Sequence, residues 1–239
     1  MDNIESDGVS PFGIHSIARI GLTYRRKPGD WYGPQAICNV LHELNKVRKP
    51  LPGFSMVVCH DGNVFLDKIQ KKINKGNSVF VIIPVRLGLN QVEPEYLECL
   101  KQVFSFESSC GIAGGQDYKA LYFPGMLNPT CKDPLLMYLD PHFVHEAIPG
   151  MRATHWIDSL QRAERATGDH WLLPQLFLKE YHCSDVRTMR LSKICPSLAI
   201  GFYLRDQTAY DRFKSSIERV RKMDESCFFS VFHKRQDSA

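Results

Sequence analysis

An α+β domain with a mainly antiparallel sheet is the fold class this sequence predicts, and three observations carry it. The run Val79-Phe80-Val81-Ile82-Ile83-Pro84-Val85 is apolar and rich in β-branched residues. That is the pattern of a strand buried on both faces. Ile37, Val40, Leu41 and Leu44 recur at helical spacing early in the chain. Further apolar segments at 119–126, 135–139 and 197–204 lie later and are separated by turn residues. Helices first and then a set of strands is the order of an α+β domain.

The elements follow in order. Residues 1–10 are polar and read as a flexible N-terminus. Ile14, Ile17, Ala18 and Ile20 predict a short helix that starts near Ser10 or Pro11. Trp31-Tyr32-Gly33-Pro34 is a turn into a helix ending near Val47, with Pro34 suited to the first helical turn. A strand is expected over 54–59, then a turn at Asp61-Gly62-Asn63. An amphipathic helix over 64–73 stops at Lys75-Gly76-Asn77. After the buried strand comes a helix over 93–106, with Tyr96, Leu97, Leu100, Val103 and Phe104 turned inward. Residues 111–115 form a glycine-rich loop or short strand. The strands 119–126 and 135–139 read as a hairpin, with Asn128-Pro129-Thr130 in its longer loop. The segment 143–180 reads as an insertion with a helix over 153–166. A strand over 197–204, a helix over 206–223 and a last strand over 227–232 complete the domain, and 233–239 is a flexible tail.

Composition narrows the function classes. At 239 residues, 44% hydrophobic and 23% charged, the chain suits one well-filled soluble domain, here 11–232. The net charge of +4 is spread out, and the basic stretches at 24–27 and 68–75 are short. They read as solvated faces, so no nucleic-acid partner is expected. Asp2, Glu5 and Asp7 are the wrong charge for a secretory leader, and no apolar run approaches a membrane span. The eight cysteines are dispersed with no CxxC, which points to free thiols in a reducing compartment and to the cytoplasm. His142, His145, His182, Cys183 and Cys195 match no zinc spacing, so neither a metal nor a cofactor is expected.

The chemistry concentrates at Asp140-Pro141-His142, just past the apolar run 135–139. Pro141 keeps Asp140 out of the helical region. In an extended chain residues i and i+2 point to one face, so a carboxylate and an imidazole serve one site. A histidine oriented by a carboxylate is what a thiol or hydroxyl nucleophile needs beside it. Read alone, Asp-Pro is also a common turn opener.

Five motifs in register extend this pair. They are Trp31-Tyr32-Gly33-Pro34, Ile83-Pro84-Val85-Arg86-Leu87-Gly88-Leu89, Gly111-Ile112-Ala113-Gly114-Gly115 before Tyr122-Phe123-Pro124-Gly125, Tyr138-Leu139-Asp140-Pro141-His142, and Tyr181-His182-Cys183 before the run 196–202. In this order and spacing the chain resembles the autophagins, papain-like cysteine proteases that process the ubiquitin-like modifier of autophagy. The resemblance runs from about residue 12 to residue 232. It implies a papain-like fold and cleavage after the modifier's C-terminal glycine. It also implies release of the modifier from phosphatidylethanolamine, so the partners would be the free and the lipid-conjugated modifier. Asp140 and His142 take the places of the triad's acid and base. Trp31 takes the place of a tryptophan beside the cleft. Gly114 and Gly115 fall in a segment that resembles a loop covering it, as hinge positions.

The resemblance also implies a cysteine in a Gly-Trp-Gly-Cys motif at the start of a long buried helix. No such motif occurs in this sequence. The expectation is therefore an incomplete peptidase domain, its nucleophile and N-terminal helical part lying upstream. Cys38, and after it Cys110, are the candidates for a replacement nucleophile, but Cys38, one turn into its helix among Ile37 and Val40, reads as a small core residue. The alternative class is an inactive, modifier-binding module. Without the helix, the inward faces of 79–85 and 135–139 are expected to lack a partner, leaving the chain poorly soluble or partly molten.

Overall fold

The computed structural model describes residues 11–116, 119–143, 183, 185–224 and 226–233. The expected helix over 153–166, the rest of the 143–180 insertion, and the flexible 1–10 and 234–239 ends lie outside the described residues. The chain divides into two compact units, Pro11–Pro141 with Arg187–Ala239, and Met1–Ser10 with His142–Val186.

The first unit begins with α1 (Ile14–Thr23) and α2 (Pro34–Arg48). Gly33 is the N-cap of α2 and Pro34 occupies its first turn, where a missing N–H costs nothing. Lys49 closes the helix in a left-handed conformation. Ile20 of α1 packs on Val40 and Leu44 of α2, with Phe12, Ile17 and Tyr32 around them. Then come β1 (Phe54–Val58), β2 (Asn63–Phe65), α3 (Leu66–Ile73), β3 (Ser78–Arg86) and α4 (Leu97–Val103). They are followed by β4 (Ser109–Gln116), β5 (Lys119–Leu127), β6 (Leu135–Leu139) and β7 (Arg187–Arg190). The unit ends with β8 (Ser197–Leu204), α5 (Gln207–Met223) and β9 (Ser230–Phe232).

Seven strands form one sheet in the order β1-β3-β8-β4-β5-β6-β7. Only β1 and β3 pair in parallel; every other neighbour is antiparallel. β5 and β6 pair as the expected hairpin, and β8 inserts between β3 and β4. No local pattern announces that insertion. The segment 64–73, expected as one helix, splits into β2 and α3. Val64 pairs with Val231 of β9, a partner far along the chain that helical periodicity does not register. The last strand is shorter than 227–232. Cys227, Phe228 and Phe229 spend their side chains on core packing, and the ladder begins only at Ser230.

The core lies on one face of the sheet. Val79, Val81 and Ile83 of β3, Ile200 and Phe202 of β8, Ile112 of β4 and Phe123 of β5 are all fully buried there. Ile69 of α3, Leu100 and Val103 of α4, and Phe213, Ile217 and Val220 of α5 cover them. The expectation that β3 lacks a partner is thus overturned, because α3, α4 and α5 fill this face; on β6 Leu136 is fully buried and Tyr138 packs on the same core, while Leu139 stays exposed. On the opposite face α2 packs over β1, β3 and β8, where Cys38 and Ile37 meet Val58, Phe80, Ile82 and Ala199. Beyond that cover, Tyr122 of β5, Leu139 of β6 and Tyr203 of β8 are each about two-fifths exposed. No described helix is long and apolar enough to cross a membrane.

Candidate active site

The ladder brings two of the expected site elements to one level of the sheet. Ala113 of β4 faces Tyr122 of β5, and Tyr122 faces Leu139 of β6. Gly114, opposite Leu121, therefore stands level with Asp140, the residue that follows Leu139. Two strand spacings separate their backbones, about 10 Å. A register shift between Tyr122 and Gly125 bends the β5–β6 pair next to this row. Tyr122 is held there by its hydroxyl, which donates to the Cys110 carbonyl at 2.7 Å.

Asp140 directly follows β6, and its side chain is only 10% exposed. Arg187, the first residue of β7, sets a guanidinium nitrogen 3.9 Å from Asp140 Oδ2. β7 supplies that partner because it pairs with β6 in a register that sets Arg187 opposite Tyr138. The guanidinium balances a charge that would be costly to bury alone. Sequence reasoning missed Arg187. The pairing is across strands and lies far along the chain, and Arg-Thr-Met-Arg at 187–190 carries no strand signal of its own.

His142 opens the second unit and is exposed. Trp31 precedes the N-cap of α2 and is 65% exposed, while its neighbour Tyr32 turns into the α1–α2 core. Gly114 and Gly115 do not lie in a loop: both are inside β4, paired with Leu121 and Ala120. A Cβ at Gly114 would sit 2.7 Å from Leu198 Cδ2, and one at Gly115 would run into the Lys119 carbonyl. At Gly115 the close backbone requires glycine, whereas at Gly114 the Leu198 side chain would have to shift. The resemblance to a covering loop extended a motif match across a segment that forms a strand in this chain.

The candidate replacement nucleophiles are poorly placed for the role. Cys38 is fully buried on the sheet-facing side of α2, and burial pushes its thiol up to about 12. Cys110 is half-buried, and burial raises its thiol too. Cys59, the residue after β1, is likewise pushed up to about 12 by burial. A thiol raised in this way stays protonated and unreactive at neutral pH. Among the described residues, no group of three or more His, Cys, Asp and Glu side chains could hold a metal ion.

An α+β domain with a mainly antiparallel sheet, one helical face and an acid at the end of β6 is thus defined by the structure. The chain belongs to the Peptidase C54 family, whose catalytic-domain profile matches residues 1–216, and its fold is the papain-like one expected. Similar curated proteins include "Cysteine protease ATG4C" of Mus musculus, 28% identical over 234 residues, covering 94% of this chain and 45% of that protein. "Cysteine protease ATG4B" of Oryza sativa subsp. japonica is 31% identical over 253 residues, covering 95% of this chain and 48% of its own length. "Cysteine protease atg4da" of Danio rerio is 26% identical over 215 residues, covering 88% and 39%. The chain therefore spans less than half the length of these relatives.

Proposed function

We propose that this chain carries the acid and base of an autophagy cysteine protease. The reaction is cleavage after the C-terminal glycine of a ubiquitin-like modifier, and release of the same modifier from phosphatidylethanolamine. The observation that supports it most is the family match over residues 1–216, with Asp140 ion-paired at the end of β6. In this reading His142 takes the proton from a cysteine thiol and later returns one to the leaving amine. Asp140 holds the imidazole tautomer and stabilises the imidazolium. Trp31, Gly114 and Gly115 line the path of the modifier's tail. The thiol belongs to a Gly-Trp-Gly-Cys segment that this sequence does not contain.

The test is a processing assay on a modifier–tag fusion, with the protein expressed from its full gene. Tag release after the glycine is expected, with kcat/KM falling on the order of 10³-fold or more in His142→Ala and in Asp140→Ala. Release at wild-type rates in both variants would sink the assignment. A second reading, a modifier-binding module without catalysis, is favoured by the buried, raised thiols of Cys38 and Cys59. It expects the purified chain to bind the modifier while releasing no tag. Tag release by this chain alone, with one cysteine mapped as alkylated by an active-site reagent, contradicts it.

A further inference from the structure

Two cysteines outside the candidate site stand close enough to react with each other. Cys99 lies in α4, fully buried, and Cys227 lies half-buried in the segment between α5 and β9. Their sulfurs are 2.8 Å apart, although the residues are 128 positions apart in sequence. The contact sits inside a docked interface. On one side Ser226 Oγ donates to the Glu95 carbonyl at 3.1 Å. On the other, the Phe228 ring meets Tyr96 edge-on, with centroids 6.3 Å apart, and stacks obliquely on Phe229 at 4.4 Å. Phe229 is buried in the main core. The backbone on both sides is therefore fixed, and the two sulfurs cannot drift apart without undoing that packing.

We propose that Cys99 and Cys227 are a redox modification site: a peroxide converts them to a reversible disulfide that staples the C-terminal segment to α4. The electrostatics give the two thiols different roles. The hydrogen bond between the two sulfurs holds Cys227 below its ordinary value. The Phe229 N–H and Arg221 act in the same sense, against burial and Asp224. Cys99 is raised by that same contact, by burial and by Asp224, against a hydrogen bond from the Phe228 backbone. Cys227, half-buried where Cys99 is fully buried, is thus the thiol that an oxidant reaches, and Cys99 is the resolving thiol.

The chemistry balances with hydrogen peroxide as the oxidant. The Cys227 thiolate attacks one peroxide oxygen, the O–O bond breaks, and the departing hydroxide takes a proton and leaves as water. Cys227 is now a sulfenic acid. The Cys99 sulfur then attacks the Cys227 sulfur. An S–S bond forms, the S–O bond breaks, and the Cys99 proton leaves with the hydroxyl as a second water. The two thiols together lose two electrons and the peroxide gains them. Closing the bond needs the sulfurs to approach by about 0.8 Å. A dithiol reductant reverses the step by thiol–disulfide exchange.

The bond would tie the 94–103 region to the chain that leads into β9. β9 is three residues long and pairs only with the equally short β2. A covalent tie just before it holds Phe229 in the core and β9 on its partner. This inference does not depend on the catalytic reading and is tested apart from it.

The purified chain is treated with equimolar hydrogen peroxide, remaining thiols are blocked with N-ethylmaleimide, and peptides are mapped without reduction. The expected result is a linked pair of peptides containing Cys99 and Cys227, which dithiothreitol separates. The oxidised protein should melt at least about 5 °C higher than the reduced one. Cys99→Ser and Cys227→Ser should each lose both the linked peptide and the shift. Recovery of Cys99 and Cys227 as separate alkylated or over-oxidised peptides, or joined to other cysteines, would overturn the proposal. So would a linked pair with no change in melting, for the stapling part. The wild-type map decides the case even if Cys99→Ser, at a fully buried position, fails to fold.

Discussion

Asp140 shows how a single residue acquires its setting from three levels of the chain. Pro141 keeps it extended, β6 carries it to the end of the sheet, and β7 returns with Arg187 to face it at 3.9 Å. Arg187 pairs with Asp140, and its own side chain is about half exposed. Solvent screening therefore reduces the pair to about 1 kcal/mol, or roughly fivefold in rate. Arg187→Ala is expected to lower kcat/KM of modifier processing by about that factor, with KM little changed. If the pairing acts through charge, Arg187→Lys should restore most of it. An Arg187→Lys variant as poor as Arg187→Ala would mean the arginine acts by shape and not by charge. The Asp-Pro-His tripeptide was legible in the sequence, whereas Arg187 was not. Local chemistry writes the first, and strand pairing makes the second.

At the scale of elements, caps and pairings decide what periodicity alone suggests. α5 was predicted over 206–223 from Tyr210, Phe213, Ile217 and Val220, and those four residues are the ones buried. Its N-cap is Asp206, whose carboxylate accepts from the Ala209 N–H at 2.9 Å. That hydrogen bond, with help from Arg205, holds the Asp206 carboxyl below its ordinary 3.8. The folded value is lower than the unfolded one. The cap's stabilisation is therefore fully present above pH 3.8 and is lost as pH falls through the lowered folded value. Asp206→Ala should melt a few degrees lower than wild type at pH 6, and the gap should close towards pH 2. A gap that stays constant over that range would show that the cap acts without its charge. β2 and β4 are the elements whose type the sequence left open or misread. β2 depends on a parallel partner near the C-terminus, and β4 depends on glycines that let neighbouring strands come close.

For the whole molecule, stability rests on the face of the sheet packed by α3, α4 and α5. Phe202 stands at its centre, in ring contact with Phe106, Phe213 and Phe229. Phe202→Ala should cost about 3–5 kcal/mol, read as a fall in the urea midpoint with the slope unchanged. The same core predicts a cooperative thermal transition for the chain, in place of the molten state expected from the sequence. A broad, featureless melt that binds a hydrophobic dye would show that this core is not closed in solution. The three partly exposed side chains Tyr122, Leu139 and Tyr203 lie on the other face, away from this packing.

The sequence by itself determined the α+β class, most helices and strands, the family, and the residues whose chemistry the proposed reaction uses. Those properties are written in short windows, as apolar periodicity, proline and glycine punctuation and motif spacing. The tertiary structure alone decided the placing of β8 between β3 and β4, the β2–β9 pairing, and the Arg187 partner of Asp140. It also decided the meeting of Cys99 with Cys227. Each of these is a contact between distant segments, selected by which faces can be buried together, and no local pattern encodes that choice.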